Sequence, residues 1–383
     1  MNKKKTPKLK TLLPYALGGA IGIAIGLLAF YGGYKAGAAA DEGSSLGILL
    51  VSLLPAIASL FIGLVLHIIL HEAGHLIAGL LSGYKFISFT VGNIMVIKEN
   101  GRLKIKRFSI AGAGGQCLMS PPEPTNNTYP FKLYNLGGGL MNFIASGIFI
   151  AIFLLTKSNQ YAGDIFITLA AIGVVIGLMN LLPLKIGGIS TDGQNIISLT
   201  KNEQSRKALW CLLTANARIA TGERGKDLPT EWFVFPEDYD FNDAISANLA
   251  IMGAGRLIAC HEFDQAKALA EKILNKGDKL IGLLKNEAQC ELLFLEIITE
   301  KNPDKIARLF TPELEKYIKA SKTHLSKHRL MYAYEKLVSE DDEKARKCLE
   351  TFNKICLTYP YTGDRECEKE LIGVVDTKIS TSL

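Results

Sequence analysis

Four long apolar stretches limit what this 383-residue chain can fold into. They cover Leu12–Gly33, Gly47–Ser82, Tyr134–Thr156 and Ala162–Leu182, with lengths of 22, 36, 23 and 21 residues, and all lie in the first half. Each reaches the ~20 apolar residues that a helix needs to cross about 30 Å of hydrocarbon. A purely soluble protein is excluded. A mainly α chain is expected, a membrane bundle of about four helices followed by a polar region.

Charge orients the bundle. Residues 1–133 carry 13 basic and 5 acidic side chains, and the remainder 30 and 32. Basic loops beside anionic lipid headgroups would produce this division; a nucleic-acid surface along the whole chain would not. The opening MNKKKTPKLK holds five lysines, which keep the N-terminus cytoplasmic. The loop Tyr84–Leu133, with seven basic and two acidic residues, falls on the same side. Runs three and four, separated by Lys157–Tyr161, form a hairpin that leaves residues 183–383 in the cytoplasm. A signal peptide ending at Ala38-Ala39-Ala40 is the competing reading of run one, disfavoured because the run exceeds the ~7–15 residues of such segments. Run two is too long for one perpendicular crossing, with Pro55 as a point of kinking. Short loops without a targeting extension favour a bacterial plasma membrane. Seven cysteines without a CxxC pattern point to free thiols in a reducing compartment.

Within the basic loop, Ile87–Ile97 and Leu103–Ile110 flank Glu99-Asn100-Gly101-Arg102, a strong hairpin signal. The hairpin is expected to lie against the inner face of the membrane, with Ala111–Gly115 and Ser120-Pro121-Pro122 as loops. After Leu199 the pattern changes to charged amphipathic helices. Ala266, Ala307 and Ala345 each follow an acidic turn, at intervals of 41 and 38 residues. This suggests either a tetratricopeptide-like array or a plain helical bundle, which could recruit a protein partner. The expected divisions are 1–46 (basic tail and first span), 47–200 (core) and 201–383 (soluble helical domain).

The chemistry sits in run two, as His71-Glu72-Ala73-Gly74-His75. Histidines at i and i+4 share one helical face and can hold one metal, while the glutamate between them can act as general base. Ionisable side chains are costly inside a bilayer and are kept there for function. His67 is also four residues from His71, but lacks the following glutamate and reads as a supporting neighbour. His261-Glu262 and His324/His328 lack the pattern and read as solvated helix faces. A hydrolytic zinc takes three protein ligands and one open position. Depth selects Asp192 as the third ligand, because it follows the cytoplasmic end of run four, whereas Asp164 lies at the outer end.

Together, His71–His75, Gly138-Gly139-Leu140-Met141-Asn142 and Asn180-Leu181-Leu182-Pro183 leading to Asp192-Gly193 resemble the site-2 protease family of intramembrane zinc metalloproteases, over about residues 47–200. The resemblance implies one zinc on His71, His75 and Asp192, with Glu72 catalytic. It places Asn142 at the substrate site, and Asn180, Pro183 and Gly193 in a supporting motif. Gly139 stands where the family usually has proline. The interval from Pro183 to Asp192 is nine residues, longer than the common form, and contains Gly187-Gly188. The expected activity is hydrolysis of a peptide bond in or near a transmembrane segment of a membrane protein or membrane-bound peptide. The basic hairpin would hold an unwound substrate strand by edge pairing. The alternative is an inactive membrane-anchored scaffold that recruits partners through its C-terminal helices.

Overall fold

The computed structural model describes residues 46–99, 101–109 and 114–380. The first apolar run and Asn100 lie outside the described residues. The chain divides into two compact units, Met1–Tyr84 with Pro130–Lys201, and Lys85–Tyr129 with Asn202–Leu383. The expected 47–200 core is thus interrupted, since residues 85–129 group with the C-terminal helices.

In the first unit, α1 (Leu46–Leu81), α2 (Phe131–Thr156) and α3 (Gln160–Leu181) pack side by side, followed by α4 (Asp192–Lys201). Three segments, Ile57–Leu81, Phe131–Thr156 and Ala162–Leu181, are long and apolar enough to cross a membrane. Phe61, Ile62, Ile148 and Leu155 stay exposed on these helices, a surface suited to hydrocarbon. The helix α1 continues through Pro55. Glycines set how closely helices approach where no hydrophobic effect drives them together. A Cβ on Gly74 would lie 2.2 Å from the Gly137 carbonyl oxygen, and one on Gly137 would lie 2.4 Å from that of Gly74. Backbone therefore meets backbone between α1 and α2. Gly139 lies against the side chain of Leu181 of α3, where a Cβ would come within 2.4 Å of Cγ, which accounts for a small residue at that position.

In the second unit, β1 (Lys85–Val91), β2 (Ile94–Glu99), β3 (Arg102–Arg107) and β4 (Gly115–Ser120) form an antiparallel sheet ordered β3-β2-β1-β4. The expected hairpin is present as β2–β3, with Glu99 opposite Arg102 and Gly101 at φ 79°. Two expectations are corrected. Ile87–Ile97 is two strands, because Gly92, at φ 58°, reverses the chain. Gly115 and Ser120, read as loop, are the ends of β4, a strand that pairs with β1 and buries Cys117, Leu118 and Met119. Ile87 and Leu118 pack on Ala217 and Ala220 of α5 (Glu203–Ala220), and Trp210 Nε1 donates to the Pro122 carbonyl at 2.9 Å.

Eight further helices follow: α6 (Ala244–Ala259), α7 (Phe263–Lys276), α8 (Gly282–Ile298), α9 (Pro303–Leu309), α10 (Pro312–Ala320), α11 (Leu325–Leu337), α12 (Asp342–Thr358) and α13 (Thr362–Ser380). The core gathers around α8, which is buried from Cys290 to Ile298. Its two buried glutamates are paired, as burial of charge demands: Glu296 with Lys267 and Lys305, and Glu291 with Arg329. The alanine pattern breaks in the middle. Ala266 and Ala345 are buried, but Ala307 is exposed on the seven-residue α9, which is anchored by Ile306. All seven cysteines are free thiols.

Candidate metal centre

His71 and His75 leave the same face of α1, and Asp192 opens α4. Their ligand atoms converge: His71 Nε2 lies 3.1 Å from His75 Nε2, and Asp192 Oδ2 lies 3.3 and 3.4 Å from the two. Among the described residues, no other group of three histidine, cysteine, aspartate or glutamate side chains meets this closely.

Hydrogen bonds fix which ring nitrogens are free. The Leu169 carbonyl accepts from His67 Nε2 at 2.9 Å, so His67 Nδ1 is an acceptor and receives Asn142 Nδ2 at 3.1 Å. The same amide nitrogen donates to the His67 carbonyl at 2.9 Å, which orients the Asn142 amide. Asn142 Oδ1 then accepts from His71 Nδ1 at 2.9 Å, and the Tyr134 carbonyl accepts from His75 Nδ1 at 2.8 Å. Both Nε2 lone pairs are left pointing at the shared space. Two lone pairs 3.1 Å apart beside a carboxylate repel unless a cation lies between them.

The residues fit a zinc ion. A tetrahedral site with ligands at ~2.0–2.1 Å has ligand–ligand edges of about 3.3 Å, against separations of 3.1, 3.3 and 3.4 Å here. Asp192 Oδ2 is buried without a hydrogen-bond partner. Gly138 keeps the space open, because a Cβ there would come within 2.6 Å of Nε2 on both histidines. Glu72 is buried on the same helix, next to His71 in sequence.

The long Pro183–Asp192 interval is taken up by a miniature hairpin. The strands β5 (Lys185–Ile186) and β6 (Ile189–Ser190) pair across Gly187 and Gly188, at φ 60° and 88°. Thr191 closes it, donating from Oγ1 to the Leu182 carbonyl at 2.7 Å and from its amide to the Leu184 carbonyl at 3.0 Å. Asp192 is thereby delivered beside the end of α3. Gly193 must be small, since a Cβ there would sit 2.0 Å from the Leu181 carbonyl oxygen. Pro183 follows the last turn of α3, where it ends the helix.

Of the residues singled out in the sequence, His71, His75 and Asp192 meet at one point, with Glu72 adjacent. The amide of Asn142 is taken up by His67 and His71, and the residue is fully buried. Asn180 donates to the Ile176 carbonyl of its own helix at 3.0 Å. His67, read from its spacing as a supporting neighbour, joins the site through Asn142, and the carbonyls of Leu169 and Tyr134 complete it, a part that spacing alone could not disclose. Compared with known proteins, the chain matches no protein-family model, no curated protein and no solved structure.

Proposed function

We propose that the chain is an intramembrane zinc metalloendopeptidase that hydrolyses a peptide bond in or near a transmembrane segment of a membrane protein or membrane-bound peptide. The observation that carries this reading is the convergence of His71 and His75, inside a membrane-capable helix, with Asp192, and with Glu72 on the same helix. His71, His75 and Asp192 would hold a zinc ion, which when bound would supply Lewis acidity toward water and a peptide carbonyl. Glu72 takes the proton of the attacking water and returns it to the leaving amine. His67 and Asn142 hold His71 in the tautomer that presents Nε2, and the Tyr134 carbonyl does so for His75. The apolar helices around the site limit bulk water and bring in an apolar substrate helix. In this reading the N-terminus and residues 202–383 are cytoplasmic, and the membrane is a bacterial plasma membrane.

The test uses protein reconstituted in liposomes with a labelled single-span peptide that carries helix-breaking residues. Wild-type protein is expected to cleave it, and Glu72→Gln to lose ~10²–10⁴-fold in rate while keeping zinc. Near wild-type cleavage by Glu72→Gln would overturn the mechanism.

A further inference from the structure

The second unit contains a cavity of about 420 Å³, far from any use in peptide hydrolysis and within the ~300–1,000 Å³ range of small-ligand sites. Its lining includes apolar side chains, Ile219, Leu228, Ile251 and Met252, and four carboxylates, Glu287, Glu291, Asp364 and Glu368.

Two buried cations serve these four acids. Lys327 Nζ lies 2.8 Å from Glu287, and Arg329 reaches Glu291 at 3.0 Å and Glu368 at 2.8 Å. Two other basic side chains line the cavity. Arg256 is turned toward the Leu228 carbonyl and Thr230 Oγ1, and His324, expected on a solvated face, is half-buried with its imidazole pulled down by burial. With Arg256 counted, three cations face four acids, and the cluster is one positive charge short. Burial pushes the Asp364 carboxyl up and the Glu368 carboxyl up to about 7.

A second feature borders the same space. Phe108, Tyr359 and Tyr361 meet edge to face, with ring centroids 5.6, 5.6 and 5.9 Å apart, and Tyr359 donates to Asp364 at 2.7 Å. Aromatic rings combined with carboxylates favour ammonium and guanidinium groups. A bare metal ion fits less well, because no three of these side chains converge as ligands among the described residues.

We propose that this cavity binds an organic cation, an ammonium or guanidinium group on a short apolar body. The charge meets Glu287, Glu291 and Asp364, and the body lies on Ile251 and Met252. Either a basic side chain of a short peptide or a free alkylamine offers this chemistry.

Isothermal titration calorimetry on the full chain in detergent tests it with two probes, a capped leucine–arginine–leucine tripeptide and 1,6-diaminohexane, and the citrulline tripeptide as neutral control. Saturable one-to-one binding of at least one cation is expected, the stronger probe identifying the source. The citrulline control should bind ~10-fold more weakly or worse, as should the cation to Asp364→Asn. Gly255→Phe guards against a variant that merely misfolds. Gly255 borders the cavity, and a Cβ there has no atom within 4 Å, so the ring fills the space and should abolish binding. Absence of saturable binding by both cations, equal binding of the citrulline control, or unchanged binding in Asp364→Asn or Gly255→Phe would overturn the proposal.

Discussion

At the residue scale, the candidate ligand atom of His71 is aimed by groups outside the His71–His75–Asp192 trio. Asn142 joins His67 to His71, and the Leu169 carbonyl fixes the far end of that chain. Removing such an orienting partner typically costs ~10–100-fold in metal affinity. His67→Ala and Asn142→Ala are therefore each expected to weaken zinc binding by about that factor, read by competition with a zinc chelator; unchanged affinity would remove the relay from the account. Gly138→Ala should do more, since its Cβ would collide with both imidazoles. The histidine pair and its glutamate were legible in the sequence because helical spacing alone places i and i+4 on one face. Asp192 was legible from depth. The role of Asn142 was not, because its partners lie 71 and 75 residues away and no local pattern encodes that meeting.

At the element scale, the delivery of Asp192 depends on a two-residue turn. Gly187 and Gly188 both have positive φ, a conformation that costs other L-residues roughly 1–2 kcal/mol. Gly188→Val is expected to weaken zinc binding and to lower the thermal midpoint, while the surface change Lys185→Gln should alter neither; equal behaviour of the two variants would contradict a positioning role for the hairpin. The glycine pair was visible as a way to fold back a long interval, and it does so. The sheet was legible only in part. Asn-Gly marked the β2–β3 turn, but β4 is six residues whose partner lies across the chain in β1, and its short apolar run carries no alternation that identifies a strand. The alanine pattern misled at Ala307, because α9 is too short to bury both Ile306 and a second face.

At the scale of the whole molecule, the chain leaves its first unit at Lys85, builds a sheet, and returns at Pro130. Hydropathy could find the apolar helices but not this interruption, which rests on contacts such as those of Ile87 and Leu118 with Ala217 and Ala220. A fragment of residues 202–383 alone is therefore expected to be less stable to urea than one in which residues 85–129 are joined to it by a flexible linker; equal midpoints would refute the shared core. Cysteine labelling is expected to place Asn195 and Asn100 on the cytoplasmic side and Asn159 outside. The central claim is that His71, His75 and Asp192 hold one catalytic zinc. Zinc-edge X-ray absorption on detergent-purified protein tests it most directly. The expected result is one zinc per chain with two imidazole nitrogens and a carboxylate oxygen at ~2.0–2.2 Å, lost in His71→Ala/His75→Ala. A spectrum without imidazole scattering, or zinc retained in full by the double variant, would contradict it.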